Sequence, residues 1–535
     1  MRTLLVCTVL TVTFPVVADE ERPLRAPRPE APIEYATTDS DSIDRLIAQE
    51  LETSVDSFVP ADDVTFLRRA TLDLIGRQPT IEEQRIFEND SSDDKRTRLI
   101  ERLLADERFG KNWANYWSDT ISYHVAPPEL TFLTYEPFKE WMTQQLNENR
   151  PWDQIVTEIL TSSGKVAEVP AVTFVAYHQA EPTKLAAETA RIFLGMQIQC
   201  AECHDHPFED WTREQFHSLA AYFARSSVKM PHNKGAETVV SSKEKGEYTM
   251  PNADPSKKGK EMKPAFVDGK QYEGGLSDEE RRAELARLLT DRRNRWFARA
   301  FTNKIWDRVA ADGFYSPVDN IGDNQPQMLP SVHAALTDHF LATGYDIKDL
   351  YRVVLNTRYY QQQTPLDPGK LEHPFASLEM TRLRGDEVFD SLETALKVPI
   401  VKQPTPKPTS AIRFPVPPKS IQEIVAETYG YDPSFGPKTV QRNMSQAMLM
   451  MNNEELQQQV NADPESGTEL SRILKEESDN DRVIERLYEL MLARKPTETE
   501  QKTCREHLAS VKDRGEGFED LLWALMNSTE FTTRR

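Results

Sequence analysis

The sequence predicts a mainly α-helical protein, built from two helical domains with a small β-hairpin excursion between them. Apolar residues recur at helical spacing through most of the chain, as in Ile43, Ile47 and Leu51. Helix-start signals precede several of these runs; Thr80-Ile81-Glu82-Glu83, for example, has the spacing of a capping box. Both patterns continue almost without interruption and favour helix over sheet.

The composition changes in the middle of the chain, where lysine, glycine, serine and proline replace the apolar periodicity. Asp268-Gly269 in this stretch is typical of a hairpin turn. A later stretch is rich in proline and predicts an extended crossing, because proline cannot continue a helix. The predicted organisation is a helical domain at 41–225, a β excursion at 226–275 and a helical domain at 276–535 that contains the proline-rich crossing at 399–418.

The first residues have the pattern of a secretory signal peptide. Arg2 is followed by an apolar run from Leu4 to Val17, and Ala18 provides the small residue at a cleavage point. We therefore predict a signal peptide at 1–18 and a flexible, proline-bearing leader at 19–40. The mature protein is expected outside the cytoplasm, in the periplasm or the extracellular space.

Charge and hydropathy narrow the partners that the chain can have. The 535 residues carry a formal net charge of −21, which disfavours binding to nucleic acid or to an anionic membrane surface. No apolar run after the signal peptide is long enough to predict a membrane span. Fingerprints of the common hydrolases and nucleotide-binding proteins are also absent from the sequence, so whether the protein is an enzyme stays open.

The strongest chemical signal is Cys200-Ala201-Glu202-Cys203-His204, which has the spacing of a c-type haem attachment site. Two thiols one helical turn apart can bond to the two vinyl groups of a haem, and the adjacent imidazole can ligate the iron. This interpretation makes Cys200, Cys203 and His204 the haem-binding residues and predicts an electron-transfer or redox-sensing protein. The candidates for a ligand on the opposite haem face are Met196, His178, His217 and Met230.

Two other interpretations of the same segment remain open. Cys200, Cys203, His206 and His217 could bind zinc or copper as a Cys2His2 set, in a structural role or in an enzyme that acts on envelope polysaccharide. Alternatively, the cysteines form a local disulfide or a reduced pair, and the histidines are structural. Haem binding predicts a cavity of several hundred cubic ångströms beside Cys200, Cys203 and His204. Metal binding predicts that His206 or His217 converges on the two sulfurs.

Tryptophan pairs at helical spacing are the other conspicuous side chains. Trp113 and Trp117 lie one turn apart, and Trp296 and Trp306 belong to one predicted helical run. We interpret all four as core anchors rather than as a platform for a sugar.

The residues around the cysteine motif resemble the hallmark of a known family. Phe193–Phe208, Asn303-Lys304-Ile305-Trp306 and Pro317-Val318-Asp319-Asn320 resemble landmarks of exported planctomycete proteins that pair domain of unknown function 1549 with domain of unknown function 1553. Lys304 stands where that family usually has arginine. The resemblance extends over nearly all of the mature chain and implies redox or polysaccharide work at the cell envelope. A redox partner or an envelope polysaccharide is the partner that it suggests.

Overall fold

The computed structural model describes most of the chain in separate stretches. The described residues are 34–122, 136–230, 237–252, 254–269, 276–365, 375–399, 419–430, 433–434 and 443–535. The predicted signal peptide, the leader up to residue 33 and all but the first residue of the proline-rich crossing at 399–418 lie outside them. Tyr35, at the end of the predicted leader, packs against Arg292 and Arg295, whose guanidinium carbons lie 5.5 and 5.8 Å from its ring centroid.

The prediction of a mainly α-helical fold is confirmed. Helix α3 begins with the capping box that the sequence predicts: the Glu83 backbone N–H donates to Thr80 Oγ1 at 3.2 Å, and the Thr80 N–H donates to Glu83 Oε2 at 2.8 Å. The described helices are α1 (Ser40–Glu50), α2 (Asp63–Ile75), α3 (Ile81–Glu88), α4 (Lys95–Ala105), α5 (Glu107–Ser122), α6 (Glu136–Asn147), α7 (Trp152–Thr161), α8 (Thr173–Tyr177), α9 (Pro182–Thr189), α10 (Arg213–Ala220), α11 (Asp278–Thr290), α12 (Arg295–Ala310), α13 (Pro330–Ala342), α14 (Ile347–Leu355), α15 (Arg358–Gln361), α16 (Gly385–Leu396), α17 (Ile421–Thr428), α18 (Met444–Asn452), α19 (Glu454–Gln459), α20 (Glu469–Glu476), α21 (Asn480–Leu492), α22 (Glu498–Ser510) and α23 (Arg514–Met526). Among them, none combines the length and the apolar character that crossing a bilayer requires.

The β structure is small, as predicted, and most of it belongs to the excursion. The strands are β1 (Gly164–Lys165), β2 (Ser226–Lys229), β3 (Val239–Ser242), β4 (Tyr248–Met250), β5 (Lys260–Met262), β6 (Thr381–Arg382) and β7 (Thr533–Arg534). All pairs are antiparallel, in the orders β1-β3-β2, β4-β5 and β6-β7. Asp268 lies in a turn, and Gly269 has a φ of +81°, but the residues that would form the second strand, 270–275, are outside the described part.

The buried apolar side chains form two large clusters. One contains residues between Ile43 and Leu378, and the other contains Leu72 together with residues between Leu383 and Phe531. The first cluster therefore draws on both predicted helical domains, and Tyr35–Arg535 form one compact unit. The predicted division at 225 and 276 into separate domains stays a prediction.

Three of the four tryptophans interpreted as core anchors are buried. Trp113, Trp117 and Trp306 are at most 2% exposed. Trp296 is only partly buried; it packs against the first cluster and also lines a cavity. Trp296 lies in the first turn of α12, whereas Trp306 lies deeper in the same helix and stacks on Phe314 at 4.9 Å between ring centroids.

The C-terminus is fixed by a buried ion pair. Arg534 in β7 donates to both carboxylate oxygens of Asp73 in α2, at 2.9 and 2.8 Å, and to the backbone oxygen of Val309 at 2.9 Å. The two side chains are 3% and 8% exposed. The last residues of the chain thus connect α2 to α12.

Removing this arginine should strongly destabilise the protein. Arg534→Ala leaves Asp73 buried without its cationic partner, and such a loss costs about 3–5 kcal/mol of unfolding free energy. Urea denaturation followed by circular dichroism measures it. The matched control is Arg505→Ala, which breaks an ion pair with Asp481 whose side chains are 56% and 44% exposed. The control should leave the midpoint unchanged, and equal effects of the two variants would contradict the prediction.

Candidate functional site

The cysteine motif follows a helix that stops abruptly. Helix α9 continues into a π-helical turn, Ala190–Leu194, which ends at Gly195 in the left-handed conformation with φ +68°. A Cβ atom at Gly195 would lie 2.7 Å from Cδ1 of Ile321, and the Ile321 N–H donates to the Gly195 carbonyl at 2.7 Å. Only glycine fits both the backbone conformation and this close approach. The chain entering the motif is therefore held against the loop that follows α12.

The motif itself forms a short exposed turn. Residues Gln199–Glu202 make one 3-10 helical turn, and Cys203 follows it directly. Cys200 and Cys203 are both exposed, and neither forms a disulfide. The two cysteine side chains are therefore unpaired in this structure, accessible and about one turn apart along the chain.

Side chains of helix α10 hold the main chain of the motif through hydrogen bonds. The carbonyl oxygen of Glu202 accepts hydrogen bonds from Nε2 of His217 at 3.0 Å and from Nε of Arg213 at 3.2 Å. The Arg213 backbone N–H donates to the Asp205 carboxylate at 2.8 Å. These bonds fix the backbone on both sides of Cys203 and leave the thiols outside the network.

The predicted iron ligand, His204, is exposed and has one nitrogen available. Its Nδ1 lies 2.7 Å from the carbonyl oxygen of Asp205. Because a carbonyl oxygen can only accept, Nδ1 carries the proton in this hydrogen bond. The Nε2 atom of the neutral ring is then an unprotonated acceptor, and it makes no hydrogen bond to a described residue.

The two histidines of the predicted metal set already make hydrogen bonds. His206 uses Nδ1 alone, and His217 uses both ring nitrogens. His206 Nδ1 accepts from the backbone N–H groups of Phe208 and Glu209 at 3.3 and 3.0 Å, so the neutral ring carries its proton on Nε2. His217 is buried; its Nε2 donates to Glu202 and its Nδ1 lies 2.8 Å from the Tyr248 hydroxyl. Burial lowers the pKa of His217, which keeps the ring neutral. Within the described ranges, no group of three or more His, Cys, Asp or Glu side chains is placed to hold a metal ion.

A cavity of about 520 Å³ adjoins the motif. Glu202 of the motif and the preceding residue Gln199 line it, whereas the two cysteines and His204 are exposed to solvent. His178 also lines the cavity and is 2% exposed. The remaining wall residues are Thr183, Lys184, Ala187, Glu188, Arg191, Gln197 and Ser434. The cavity has the volume expected for haem, but Cys200, Cys203 and His204 do not line it, so it does not open on the face that haem binding predicts.

Two charged residues that line this cavity, Glu188 and Arg191, are buried and paired. Arg191 donates to Glu188 Oε2 at 2.6 Å and to Asp319 Oδ2 at 3.1 Å, and all three side chains are at most 5% exposed. Gln197 and Ser434 each donate to Asp319 at 2.7 Å. Burial alone would raise the pKa of Asp319, but the charges of Lys304 and Arg191 outweigh it and keep the pKa below its usual value. We refer to Glu188, Arg191, Lys304 and Asp319 as the buried ion network.

Lys304 is the cation of this network that burial affects most. Its side chain is 1% exposed, and burial lowers its pKa from 10.5 to about 8, although Asp319 opposes the shift. The sequence patterns did not predict an ion network at Lys304 and Asp319. Both belong to landmark segments of the family resemblance, which was the available signal.

The loop after the motif is fastened to the loop after α12. Glu209 accepts from the Gln325 side-chain amide at 2.8 Å and from the Asn324 backbone N–H at 3.4 Å. The Asn324 side-chain amide donates to the Phe208 carbonyl at 3.0 Å. The segment from His204 to Trp211 is therefore held at its far end as well as at the motif.

The exposure of the thiols can be tested directly. In haem-free protein made without the signal peptide, Cys200 and Cys203 should react with Ellman's reagent under native, reducing-agent-free conditions. Cys504 is buried, and burial raises the pKa of its thiol, so it should react only after denaturation. Cys504→Ser should remove only the reaction that appears after denaturation. Native reaction of all three thiols, or of none in fully reduced protein, would contradict this arrangement.

The depressed pKa of Lys304 predicts a pH dependence of stability. Between pH 8 and 10 the unfolded lysine retains the proton that the folded one has released, so the unfolding free energy rises with pH. Relative to Lys304→Met, the wild type should gain about 2 kcal/mol over this range. Urea denaturation at each pH measures the difference. Lys502→Met, at a side chain that is 76% exposed, is the control and should parallel the wild type. Parallel profiles for wild type and Lys304→Met would refute the shift.

Comparison with known proteins assigns the chain to a family. Residues 42–228 match the family model PSCyt2, a protein of unknown function (DUF1549), and residues 281–413 match PSD1, a protein of unknown function (DUF1553). The motif lies in the first segment, and Lys304 and Asp319 lie in the second. No curated protein and no solved structure matches the chain. Together the two segments cover more than half of the sequence, and the chain belongs to the family that pairs these two domains of unknown function.

Proposed function

We propose that the protein is exported and carries a single haem c at Cys200, Cys203 and His204, with a role in electron transfer or redox sensing. One observation carries the proposal. Of the three histidines near the cysteines, His204 alone has its Nδ1 proton committed to a carbonyl and its Nε2 without a described partner. A histidine ligand to a metal commonly has this arrangement, because the second nitrogen fixes the ring and its tautomer.

The thiols are suited to covalent attachment. Each sulfur would bond to one carbon of a vinyl group while the thiol proton passes to the other carbon, so attachment consumes no oxidant or reductant. Both Cys200 and Cys203 are exposed and unpaired, as this addition requires. When bound, haem c supplies a one-electron redox couple.

Hydrogen bonds hold the motif backbone in place, whereas the thiols and the His204 Nε2 that would bind haem take no part in them. His217 and Arg213 hold the Glu202 carbonyl, and Arg213 also donates to Asp205. The Asp205 carbonyl in turn orients the His204 ring. Fixed supports of this kind hold a ligand in position without using its binding atoms.

Among the four proposed opposite-face ligands, the structure favours one by position. His178 lines the cavity beside the motif. Met196 does not line this cavity, and His217 is committed to Glu202 and Tyr248. Met230 is half-buried at the end of β2. We therefore infer that His178 is the first residue to substitute when the opposite ligand is sought.

A zinc or copper site formed by Cys200, Cys203, His206 and His217 has less support. His206 would have to exchange its proton between ring nitrogens and release two backbone N–H groups, or bind through the nitrogen that now carries hydrogen. His217 would have to leave both the Glu202 carbonyl and the Tyr248 hydroxyl. Each of these changes costs hydrogen bonds that are already made.

Expression of the full chain in a host that assembles c-type cytochromes tests the proposal. The exported protein should begin at Asp19 by mass spectrometry and should give a haem-stained band that survives denaturation. Cys200→Ala/Cys203→Ala should abolish the band because the thioether bonds cannot form. His204→Ala should alter or abolish the haem absorption spectrum because the iron loses its proposed ligand.

Cys504→Ser is the matched control, since it removes a cysteine outside the motif, and it should stain like the wild type. Exported, folded wild-type protein that carries no covalent haem would refute the proposal. Metal analysis of such protein would then show whether zinc or copper occupies the cysteines.

A further inference from the structure

A second cavity, of about 630 Å³, lies between the first turns of α12 and α13 and is open to solvent on one side. Trp211, from the loop after the motif, and Trp296, from α12, form part of its wall. Phe266 and Val267 of the excursion contribute further apolar surface. We refer to this space as the Trp296 cavity.

The two tryptophans form an aromatic corner at the cavity. Their ring centroids lie 6.1 Å apart, and their planes meet at 69°. Both rings are only partly buried, in contrast to Trp113, Trp117 and Trp306 in the core. Two partly exposed indole rings therefore lie side by side in the wall of this cavity.

Polar side chains beside the two tryptophans are held by hydrogen bonds but keep further donors or acceptors unused. Arg299 lies with its guanidinium carbon 5.1 Å from the Trp296 ring centroid and donates to the Tyr315 hydroxyl at 2.7 Å. The guanidinium has five N–H donors, and among the described residues this is its one side-chain hydrogen bond. Its position is therefore fixed while most of its donors remain available.

Two amides in the wall are held in the same manner. The Gln327 side-chain NH2 donates to Nδ1 of His333 at 3.0 Å, and burial lowers the pKa of His333 to about 3, so the ring stays a neutral acceptor. The Asn294 side-chain NH2 donates to the Leu289 carbonyl at 2.7 Å. Each bond orients an amide through its nitrogen and leaves its oxygen without a described donor. The wall therefore offers both fixed donors and fixed acceptors.

Formal charges in the lining balance. Three arginines and three aspartates line the cavity: Arg293, Arg295, Arg299, Asp268, Asp291 and Asp323. Arg295 is also paired with Asp338 at 2.5 Å, outside the lining. A lining without excess charge gives no general attraction for a polyanion or a cation.

We propose that the Trp296 cavity binds a neutral oligosaccharide. A sugar ring has a flat face of C–H groups, which packs on an indole, and a rim of hydroxyls, each of which both donates and accepts hydrogen bonds. Trp211 and Trp296 supply the faces, and Arg299, Gln327 and Asn294 supply the donors and acceptors. The size of the cavity lies within the range of small-molecule sites, which are typically 300–1,000 Å³.

This proposal does not rest on haem binding, since none of its residues belongs to the cysteine motif. Titration calorimetry of the full mature protein with a panel of neutral trisaccharides, namely cellotriose, xylotriose, maltotriose and galactotriose, tests it. At least one should bind, and its affinity should change little between roughly 50 and 500 mM salt because no net charge is neutralised. Trigalacturonate, tested alongside, should bind no more tightly than the best neutral sugar.

Two variants locate the binding. Trp296→Ala should weaken it roughly tenfold or more by removing one stacking face, and Arg299→Gln should weaken it to a similar extent by removing charged donors. Trp523→Ala, a partly buried tryptophan at the second apolar cluster, is the matched control and should bind like the wild type. Unchanged circular dichroism shows that each variant is folded.

Three results would overturn the proposal. The first is that no neutral trisaccharide binds with a dissociation constant below about 10 mM. The second is binding restricted to trigalacturonate with a steep salt dependence, which would indicate an anion site. The third is binding that folded Trp296→Ala and Arg299→Gln both retain at wild-type affinity, which would place the sugar elsewhere.

Discussion

The position of the cysteine motif depends on the buried ion network of Glu188, Arg191, Lys304 and Asp319. Charged groups this deeply buried are costly unless they are paired, and removing one partner leaves the others uncompensated. Arg191 lies in the π-helical turn that precedes the motif, and Asp319 lies beyond α12. The pairing therefore connects the segment that carries the motif to the segment that matches the second family model.

Two further contacts explain why the motif can be exposed and still be well positioned. Behind it, the Ile321 N–H holds the Gly195 carbonyl, and His217 holds the Glu202 carbonyl. These contacts restrain the main chain on both sides of Cys200. Its thiol, like that of Cys203, needs no contact with the protein to be held in place. The fold thus assigns positioning to buried polar groups and leaves the reactive groups in solvent.

Sequence patterns predicted the parts of the structure that depend on neighbours along the chain. The helices and the Thr80 capping box follow from local spacing, whereas the sequence left open whether Cys200 and Cys203 form a disulfide. Trp296 and Trp306 look equivalent at that level, because only the arrival of Trp211 from a distant loop makes one of them a cavity wall. His217 was a plausible metal or haem ligand because its hydrogen-bond partners are also distant in sequence and could not be predicted. Its engagement depends on Tyr248, 31 residues away in the excursion.

A single short loop connects the cysteine motif to the Trp296 cavity. It begins at His204, next to the thiols, and ends at Trp211, whose carbonyl accepts from the His206 N–H at 2.7 Å. Glu209 fastens the loop to Gln325 between these ends. Because this one loop contributes to both places, His204 and Trp211 are positioned by the same hydrogen bonds, those made by the His206 N–H and by Glu209.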